Sequence, residues 1–306
     1  MPTDEPARDP TAVGGGAGEA FPIAAEPVMA GGFGLAVAGR WPGAAAVVGF
    51  FALALGLSWG IGAVFKGTPI VAPDGLFIGG VSLAAVIMVA VTQGRTGLRD
   101  LGRRLVRWRV GARWYAVLVA VPILLLGTAA ALLPLFGGSA LDWSRRPSLA
   151  STAVWLGFLL LLPLGAPIGE EIGWRGYALP RLLTRCSALT SGVALGVVWA
   201  VWHLPVVLAD PALRVPVPFL LQVVPLSILF TWLFVRTQGS VFVAVLFHAW
   251  LDLVLMYLAA MVAPSDYRLL WWLICGLQGV TAGVVLAFGG LRPAAQPPAA
   301  QPPAAA

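Results

Sequence analysis

Six ionisable side chains inside the apolar stretches of this sequence are the residues that could do chemistry. They are Glu170, Glu171, Arg175, His203, His248 and Asp252, and they include both histidines of the chain. Carboxylates and imidazoles can act as general acids or bases, bind a metal ion or carry protons. An ionisable group within a membrane-spanning helix costs about 2.5–3.5 kcal/mol on insertion scales, so we expect each of these groups to have a partner or a function.

The first cluster is the segment EEIGWR at residues 170–175. Residues four positions apart share a helix face, so Glu171 and Arg175 can pair. Glu170 is rotated by about 100° from that pair, because the helix has 3.6 residues per turn. The spacing therefore predicts a structural ion pair beside a buried carboxylate suited to act as a general base. The alternative is that both glutamates mark the rim of a helix.

Two further motifs lie on later apolar stretches. Trp199 precedes His203 by four residues, and His248 precedes Asp252 by four, so each pair shares a helix face. An aspartate at that spacing can orient an imidazole or offer a second polar group to a ligand. The alternative is that a lone membrane histidine is a hydrogen-bonded packing contact between helices.

The elements that must position these residues are predicted to be membrane-spanning helices. The chain has 306 residues, is 59% hydrophobic and 10% charged, and has a mean hydropathy of +0.89. Soluble domains carry about 25% charged residues, so a soluble globular enzyme is excluded. A bilayer is crossed by about 20 apolar residues. The sequence thus predicts an all-α polytopic membrane protein with about eight transmembrane helices, at residues 43–64, 75–93, 114–136, 152–179, 191–209, 217–235, 240–260 and 269–289.

The remaining segments predict the organisation around these helices. Residues 1–39 and 293–306 are rich in Gly, Ala and Pro and predict disordered tails, which leaves a transmembrane domain at 40–292. Seven arginines between residues 95 and 113 alternate with apolar residues, which predicts a loop facing lipid headgroups and not a nucleic-acid patch. If this loop is cytoplasmic, most of the 19 basic residues lie on the same side, and both termini are cytoplasmic.

The three motifs are predicted to lie at overlapping depths in the bilayer. At 1.5 Å per helical residue, Glu170 is about 22 Å from the cytoplasmic end of its helix, His203 about 18 Å and His248 about 12 Å. We therefore expect these groups to share a polar cavity.

The order and spacing of the motifs resemble the CPBP family of intramembrane proteases. This family is also called the CAAX-processing and bacteriocin-processing, or ABI, family, and it includes type II CAAX prenyl endopeptidases and lysostaphin resistance protein A. Its pattern is E-E-x-x-x-R, then an aromatic residue-x-x-x-H, then H-x-x-x-N or D. The matching residues here are Glu170, Glu171, Arg175, Trp199, His203, His248 and Asp252. The resemblance covers about residues 151–260, which would form the protease-like core, and it departs at Trp199, where phenylalanine is more usual.

The resemblance implies a peptidase mechanism for these residues. Glu170 would activate the attacking water, assisted by His203. His248 and Asp252 would stabilise the oxyanion of the tetrahedral intermediate. An ionised Asp252 cannot donate a hydrogen bond, so it would favour a charged His248 or a role as a metal ligand.

The resemblance also implies which residues hold the site in shape, and it raises the question of a metal cofactor. Glu171 and Arg175 would hold the geometry of the site. Glu170, His203 and His248 form an alternative three-ligand zinc site with an open position for water. A mechanism without a metal explains the same residues, so the sequence leaves both alternatives open.

We interpret the chain as an intramembrane endopeptidase whose polar cavity opens to the cytoplasmic side. Its expected partners are membrane lipid and a peptide or membrane-protein substrate, without nucleic acid. The alternatives are a non-catalytic scaffold or bacteriocin-immunity protein of the same fold and, with less support because the halves show no internal repeat, an ion-coupled transporter. Among the 19 basic residues only one is lysine, which is typical of a high-GC bacterial genome and predicts a multi-pass protein of the bacterial plasma membrane.

Overall fold

The computed structural model of the chain describes residues 43–68, 76–161, 166–209 and 216–291, and every regular element in these ranges is helical. The helices are α1 (Gly43–Val64), α2 (Gly80–Leu105), α3 (Ala112–Leu132), α4 (Leu149–Leu161), α5 (Ala166–Gly173), α6 (Leu179–Leu183), α7 (Ala188–Trp202), α8 (Leu204–Ala209), α9 (Pro216–Arg236), α10 (Val241–Met261) and α11 (Tyr267–Ala287). The predicted all-α class is confirmed. The two predicted tails lie outside the described residues.

Six helices of the described ranges are long and apolar enough to cross a membrane. They are α1, α2, α9, α10, α3 with its 3-10 extension to Phe136, and α11 with the 3-10 turn before it. The chain is therefore a multi-pass membrane protein. Neither the fourth nor the fifth predicted segment is among these six, because the fourth is described only in part and the long helix of the fifth ends at His203.

The described part of the fourth predicted segment, at 152–179, is not a regular α-helix throughout. α4 ends at Leu161, and α5 begins at Ala166. After α5 the chain makes a π-helical turn, Trp174–Ala178, and continues as α6. Such π turns are frequent at functional sites, and this one follows directly after the two glutamates. Pro163 lies outside the described residues.

The fifth predicted segment, at 191–209, divides at a histidine. α7 has 15 residues and ends at Trp202, and His203 is its C-cap. α8 begins at the next residue and has Pro205 at its second position, where the missing N–H of proline is tolerated. The division therefore places the His203 imidazole between two short helices.

The arginine-rich segment is helical where a loop was predicted. α2 continues to Leu105 after a kink at Gly94, whose φ is 61°. The guanidinium of the buried Arg104 donates to the Gly176 carbonyl at 2.9 Å, and its Nε lies 3.1 Å from the Asp100 carboxylate. The prediction of a loop is wrong for residues 95–105, because α2 continues through them and packs on the turn that follows α5. Arg95, Arg99 and Arg103 are exposed, and their contact with lipid headgroups stays a prediction.

The site is held by the most enclosed helices. In the most apolar 18-residue window of each helix, 61% of the α9 residues and 50% of the α10 residues are buried, against 22% for α11. α9 packs between α7 and α11, and α10 contacts α3, α4, α5 and α9. The functional motifs on α5, α7 and α10 therefore meet around α9 and α10.

Glycine allows two of these helix pairs to approach closely. A Cβ at Gly196 of α7 would lie 2.8 Å from the Cα of Val224 on α9. A Cβ at Gly173 of α5 would lie 2.7 Å from the carbonyl oxygen of Val81 on α2. Small residues at membrane helix interfaces permit such backbone contact, which brings Trp199 and the glutamates into the interior.

Candidate active site

A carboxylate at the end of α5 joins two cationic or polar groups from different parts of the chain. Glu171 Oε1 accepts a hydrogen bond from Arg175 Nη1 at 2.8 Å, and His248 Nδ1 lies at the same distance from the same oxygen. Glu171 and Arg175 are fully buried, and His248 is 6% exposed. This oxygen already accepts from Arg175, so we assign it as the acceptor from His248 too and place a hydrogen of His248 on Nδ1.

The Glu171–His248 contact is the part of the site that sequence reasoning missed. Spacing indicated Asp252 as the partner of His248, but the distance from His248 Nε2 to Asp252 Oδ2 is 3.6 Å, which is longer than a hydrogen bond. Glu171 lies on another helix, 77 positions earlier, and no local periodicity relates the two residues. His248 is thus anchored through Nδ1 by Glu171, while Nε2 faces Asp252.

Glu170 has a separate environment, formed by two indole groups. Its Oε2 accepts from Trp199 Nε1 at 2.5 Å and from Trp174 Nε1 at 3.4 Å. Trp174 was not identified from the sequence, although it follows Glu170 by four residues, the same spacing that indicated the Glu171 and Arg175 pair. The two adjacent glutamates therefore have different partners: neutral donors at Glu170, and a guanidinium with an imidazole at Glu171.

Trp199 does more than pack beside an imidazole. Its N–H binds Glu170, its ring centroid lies 5.7 Å from that of His248 and 5.9 Å from that of His203, and the Arg175 guanidinium lies 4.4 Å from its centroid. Phenylalanine, the more usual residue in the motif, has no N–H and could not hold the carboxylate.

Arg175 is balanced by aromatic faces as well as by Glu171. Its guanidinium lies 3.9 Å from the centroid of Phe230, in addition to its contact with Trp199. Its Nε and Nη2 are buried without a hydrogen-bond partner among the described residues. Cation–π attraction at such desolvated positions contributes about 2 kcal/mol, which offsets part of the cost of burying this charge.

His203 is fixed by the end of its own helix. Its Nδ1 lies 2.8 Å from the carbonyl oxygen of Trp199, which can only accept, so Nδ1 carries the hydrogen. In the neutral imidazole, Nε2 is then a hydrogen-bond acceptor.

A cavity of about 90 Å³ lies among α3, α7, α9, α10 and α11. Its polar lining comes from five side chains, which are His203, Gln222, His248, Asp252 and Gln278. Trp199 also lines it, whereas Glu170 does not. The structure thus brings both histidines and Asp252 to one cavity, and Glu170 contacts the Trp199 indole that forms part of its wall.

The site does not have the donor arrangement of a metal centre. In the part of the chain that the structure describes, no three His, Cys, Asp or Glu side chains are grouped so that they could hold a metal ion. Of the three candidate zinc ligands, His203 bonds a backbone carbonyl and His248 bonds Glu171 through their Nδ1 atoms. The Glu170 carboxylate binds two indoles. The Nδ1 contacts leave both Nε2 atoms free, as in histidines that bind a metal. The zinc alternative does not fit because Glu170 is held by the indoles and does not line the cavity that the two histidines share.

The fold and the site define a multi-pass, all-helical membrane protein with a polar centre enclosed among its helices. Residues 152–254 match the family model described as Type II CAAX prenyl endopeptidase Rce1-like. The chain is 28% identical over 127 residues to CAAX prenyl protease 2 of Methanococcus maripaludis, which covers 39% of this chain and 46% of that protein. The chain thus spans about half the length of this curated relative. The resemblance to CPBP intramembrane proteases is confirmed for the segment that carries the three motifs.

Proposed function

We propose that this chain is an intramembrane endopeptidase that hydrolyses a peptide bond with a water activated by Glu170. The observation that carries the proposal is the cavity lined by His203, His248 and Asp252, all of which belong to the segment matched by the protease family model. Within a bilayer a hydrolase needs a space that admits water, and the polar side chains on the wall of this cavity can hold it.

Glu170 is the proposed general base. Trp199 and Trp174 occupy its Oε2, and Oε1 has no hydrogen bond to the described residues. In the proposed reaction, water at the Trp199 side of the cavity gives a proton to Oε1 while its oxygen adds to the substrate carbonyl carbon. Collapse of the tetrahedral intermediate breaks the C–N bond, and Glu170 returns the proton to the leaving amine. His203 Nε2, as an acceptor, assists by orienting the water.

His248 is the proposed donor to the oxyanion. Because its Nδ1–H is bound to Glu171, Nε2 can donate only when the ring carries both protons. Glu171 and Asp252 lie on opposite sides of the ring, and two carboxylates favour that cation. Asp252 therefore acts through the charge on His248 and does not need to donate a hydrogen bond itself. Arg175 holds the Glu171 carboxylate in place through their 2.8 Å contact.

The substrate is proposed to be a peptide or membrane protein that reaches the cavity within the membrane. The Methanococcus relative is a CAAX prenyl protease, but the match covers only 46% of that protein. We propose no prenyl specificity for this chain. A location in the bacterial plasma membrane and a cavity open to the cytoplasmic side remain our predictions.

The test is to compare membrane peptides from cells that express the wild type with those from cells that express Glu170→Gln at the same level. Mass spectrometry should find cleavage products that occur only with the wild type, and the purified protein in liposomes should reproduce the cleavage. Identical peptide profiles for the two proteins would refute the proposal. Full complementation of a deletion phenotype by a Glu170→Gln, His203→Ala double variant would instead favour the scaffold alternative.

A further inference from the structure

The cavity contains polar groups that the proposed reaction does not use. Gln222 of α9 and Gln278 of α11 line it, and they are 6% and 2% exposed. The Oε1 atom of Gln278 has no hydrogen-bond partner among the described residues. A buried acceptor without a partner costs about 1–3 kcal/mol, so its position on a cavity wall calls for a ligand that donates to it.

The rest of the wall around these amides is largely apolar. It is formed by side chains such as Leu126, Val223, Leu226, Leu255 and Ile274. A peptide backbone entering this space would lose its hydrogen bonds to water, and each unsatisfied group costs several kcal/mol in such surroundings. A carboxamide has one acceptor oxygen and two N–H donors, which match the N–H and C=O of a peptide group.

Resting on the proposed function, we infer that Gln278 and Gln222 bind the main chain of the substrate peptide beside the scissile bond, with Gln278 Oε1 accepting a backbone N–H. The two amides and the two histidines line the same cavity from different helices, so a peptide bound there can contact both sets of side chains. Both amides are uncharged and leave the Glu171, Arg175 and His248 charges undisturbed.

Gln278 lies beyond residue 254, where the match to the protease family model ends. The reacting groups and this proposed binding group thus come from different parts of the chain. Gln278 is a positioning residue in this scheme, because it holds the substrate and not the reacting atoms.

The experiment measures hydrolysis of a library of apolar fluorogenic decapeptides by the full chain in liposomes. The peptide that the wild type cleaves fastest is then synthesised with single backbone N-methyl groups, each of which removes one N–H. We expect Gln278→Met to lower kcat/KM for the parent peptide about tenfold, through KM and with kcat unchanged. For one of the N-methyl peptides, the wild type should show a kcat/KM about tenfold lower than for the parent peptide. Gln278→Met should cleave that peptide and the parent peptide with the same kcat/KM.

Two controls separate substrate binding from a structural role. Gln278→Met should leave the thermal midpoint unchanged or raise it, because it replaces a buried acceptor that has no partner. Val280→Ile, at a position of α11 that is 66% exposed and does not line the cavity, should leave kcat/KM and the N-methyl pattern unchanged.

The outcomes distinguish this inference from the proposed function. Two outcomes would overturn the role of Gln278 and leave the proposed function standing. In the first, the wild type cleaves the peptide and Gln278→Met has the same kcat/KM. In the second, each N-methyl group lowers kcat/KM by the same factor in both proteins. If the wild type cleaves no member of the library, the proposed function fails, and this inference fails with it.

Discussion

Replacing Glu171 by glutamine removes the carboxylate that joins Arg175 and His248. Its Oε1 is the acceptor for both groups, at 2.8 Å each. An amide oxygen could still accept one of these hydrogen bonds, but the NH₂ group would oppose the other donor. Arg175 would then be a fully buried cation without its ion-pair partner, in contact with the rings of Trp199 and Phe230.

The expected loss in the free energy of unfolding is about 3–5 kcal/mol, because removing one partner of a buried ion pair leaves the other charge uncompensated. The matching change at the neighbouring position, Glu170→Gln, has a different consequence. The Glu170 oxygen accepts from two neutral indoles, and an amide oxygen can do the same. Replacing the charged acceptor by a neutral one should lower the free energy of unfolding by about 1 kcal/mol. Loss of a general base, however, slows the reaction about 10²- to 10⁴-fold.

The assay is thermal unfolding of both variants in one detergent, combined with peptide hydrolysis in liposomes. We expect Glu170→Gln to unfold close to the wild-type temperature and to lose cleavage. Glu171→Gln should unfold at a clearly lower temperature and should also cleave poorly, because His248 loses its anchor. Asp142→Asn is the matched control, since this exposed carboxylate caps the turn Trp143–Arg145 and asparagine can form the same cap.

Two results would refute the reasoning. If both glutamine variants destabilise the protein equally, the adjacent glutamates do not have separate roles. If Glu171→Gln is as stable as the wild type, the hydrogen bonds to Arg175 and His248 do not hold the site together.

Three further predictions concern the same centre. Asp252→Asn should retain cleavage within about tenfold, because an amide N–H can donate to the oxyanion directly, whereas Asp252→Leu should lose about 10²- to 10³-fold in kcat. Trp199→Phe keeps the ring but removes the N–H that binds Glu170, so it should lower the free energy of unfolding by about 1.5–3 kcal/mol and reduce kcat. Prolonged treatment with a zinc chelator should leave cleavage by the wild type unchanged, because no three ligand side chains of the described residues are grouped for a metal.

Each of these predictions has a clear contrary outcome. If Asp252→Asn were as inactive as Asp252→Leu, the prediction that an amide N–H can replace the charged His248 as donor would be wrong. For Trp199→Phe, the control is Trp272→Phe on α11, a tryptophan that is 46% exposed, and equal effects of the two changes would argue against the indole contact. Activity that is lost on chelation and restored by zinc alone would support a metal site.

Hydropathy is a property of a short stretch of sequence, so it could predict where individual membrane helices begin and end. The limits of α1, α9, α10 and α11 agree with the predicted segments to within a few residues, because a run of apolar residues is enough to indicate a membrane helix. Two features of the fourth and fifth predicted segments could not be predicted from hydropathy. The π turn after α5 and the end of α7 at His203 depend on how those helices pack, and hydropathy carries no signal for either.

The same distinction applies to the arginine-rich segment. Its composition is that of a surface loop, yet α2 continues through it, because Arg104 finds the Gly176 carbonyl and Asp100 inside the protein. Composition gives the average environment of such a segment, whereas the position of each arginine is set by the helices that pack against it.

The sequence by itself determined the membrane class, the approximate helices and the pairs within one helix, such as Glu171 with Arg175, since helical spacing alone brings residues four apart together. Only the tertiary structure decided that Glu171 anchors His248, that Trp199 holds Glu170, and that Gln278 faces the cavity. These contacts depend on the rotation and crossing of helices about their axes. Lipid tails are as apolar as leucine, so burial of apolar surface does not set that rotation, and close packing with interhelical hydrogen bonds does.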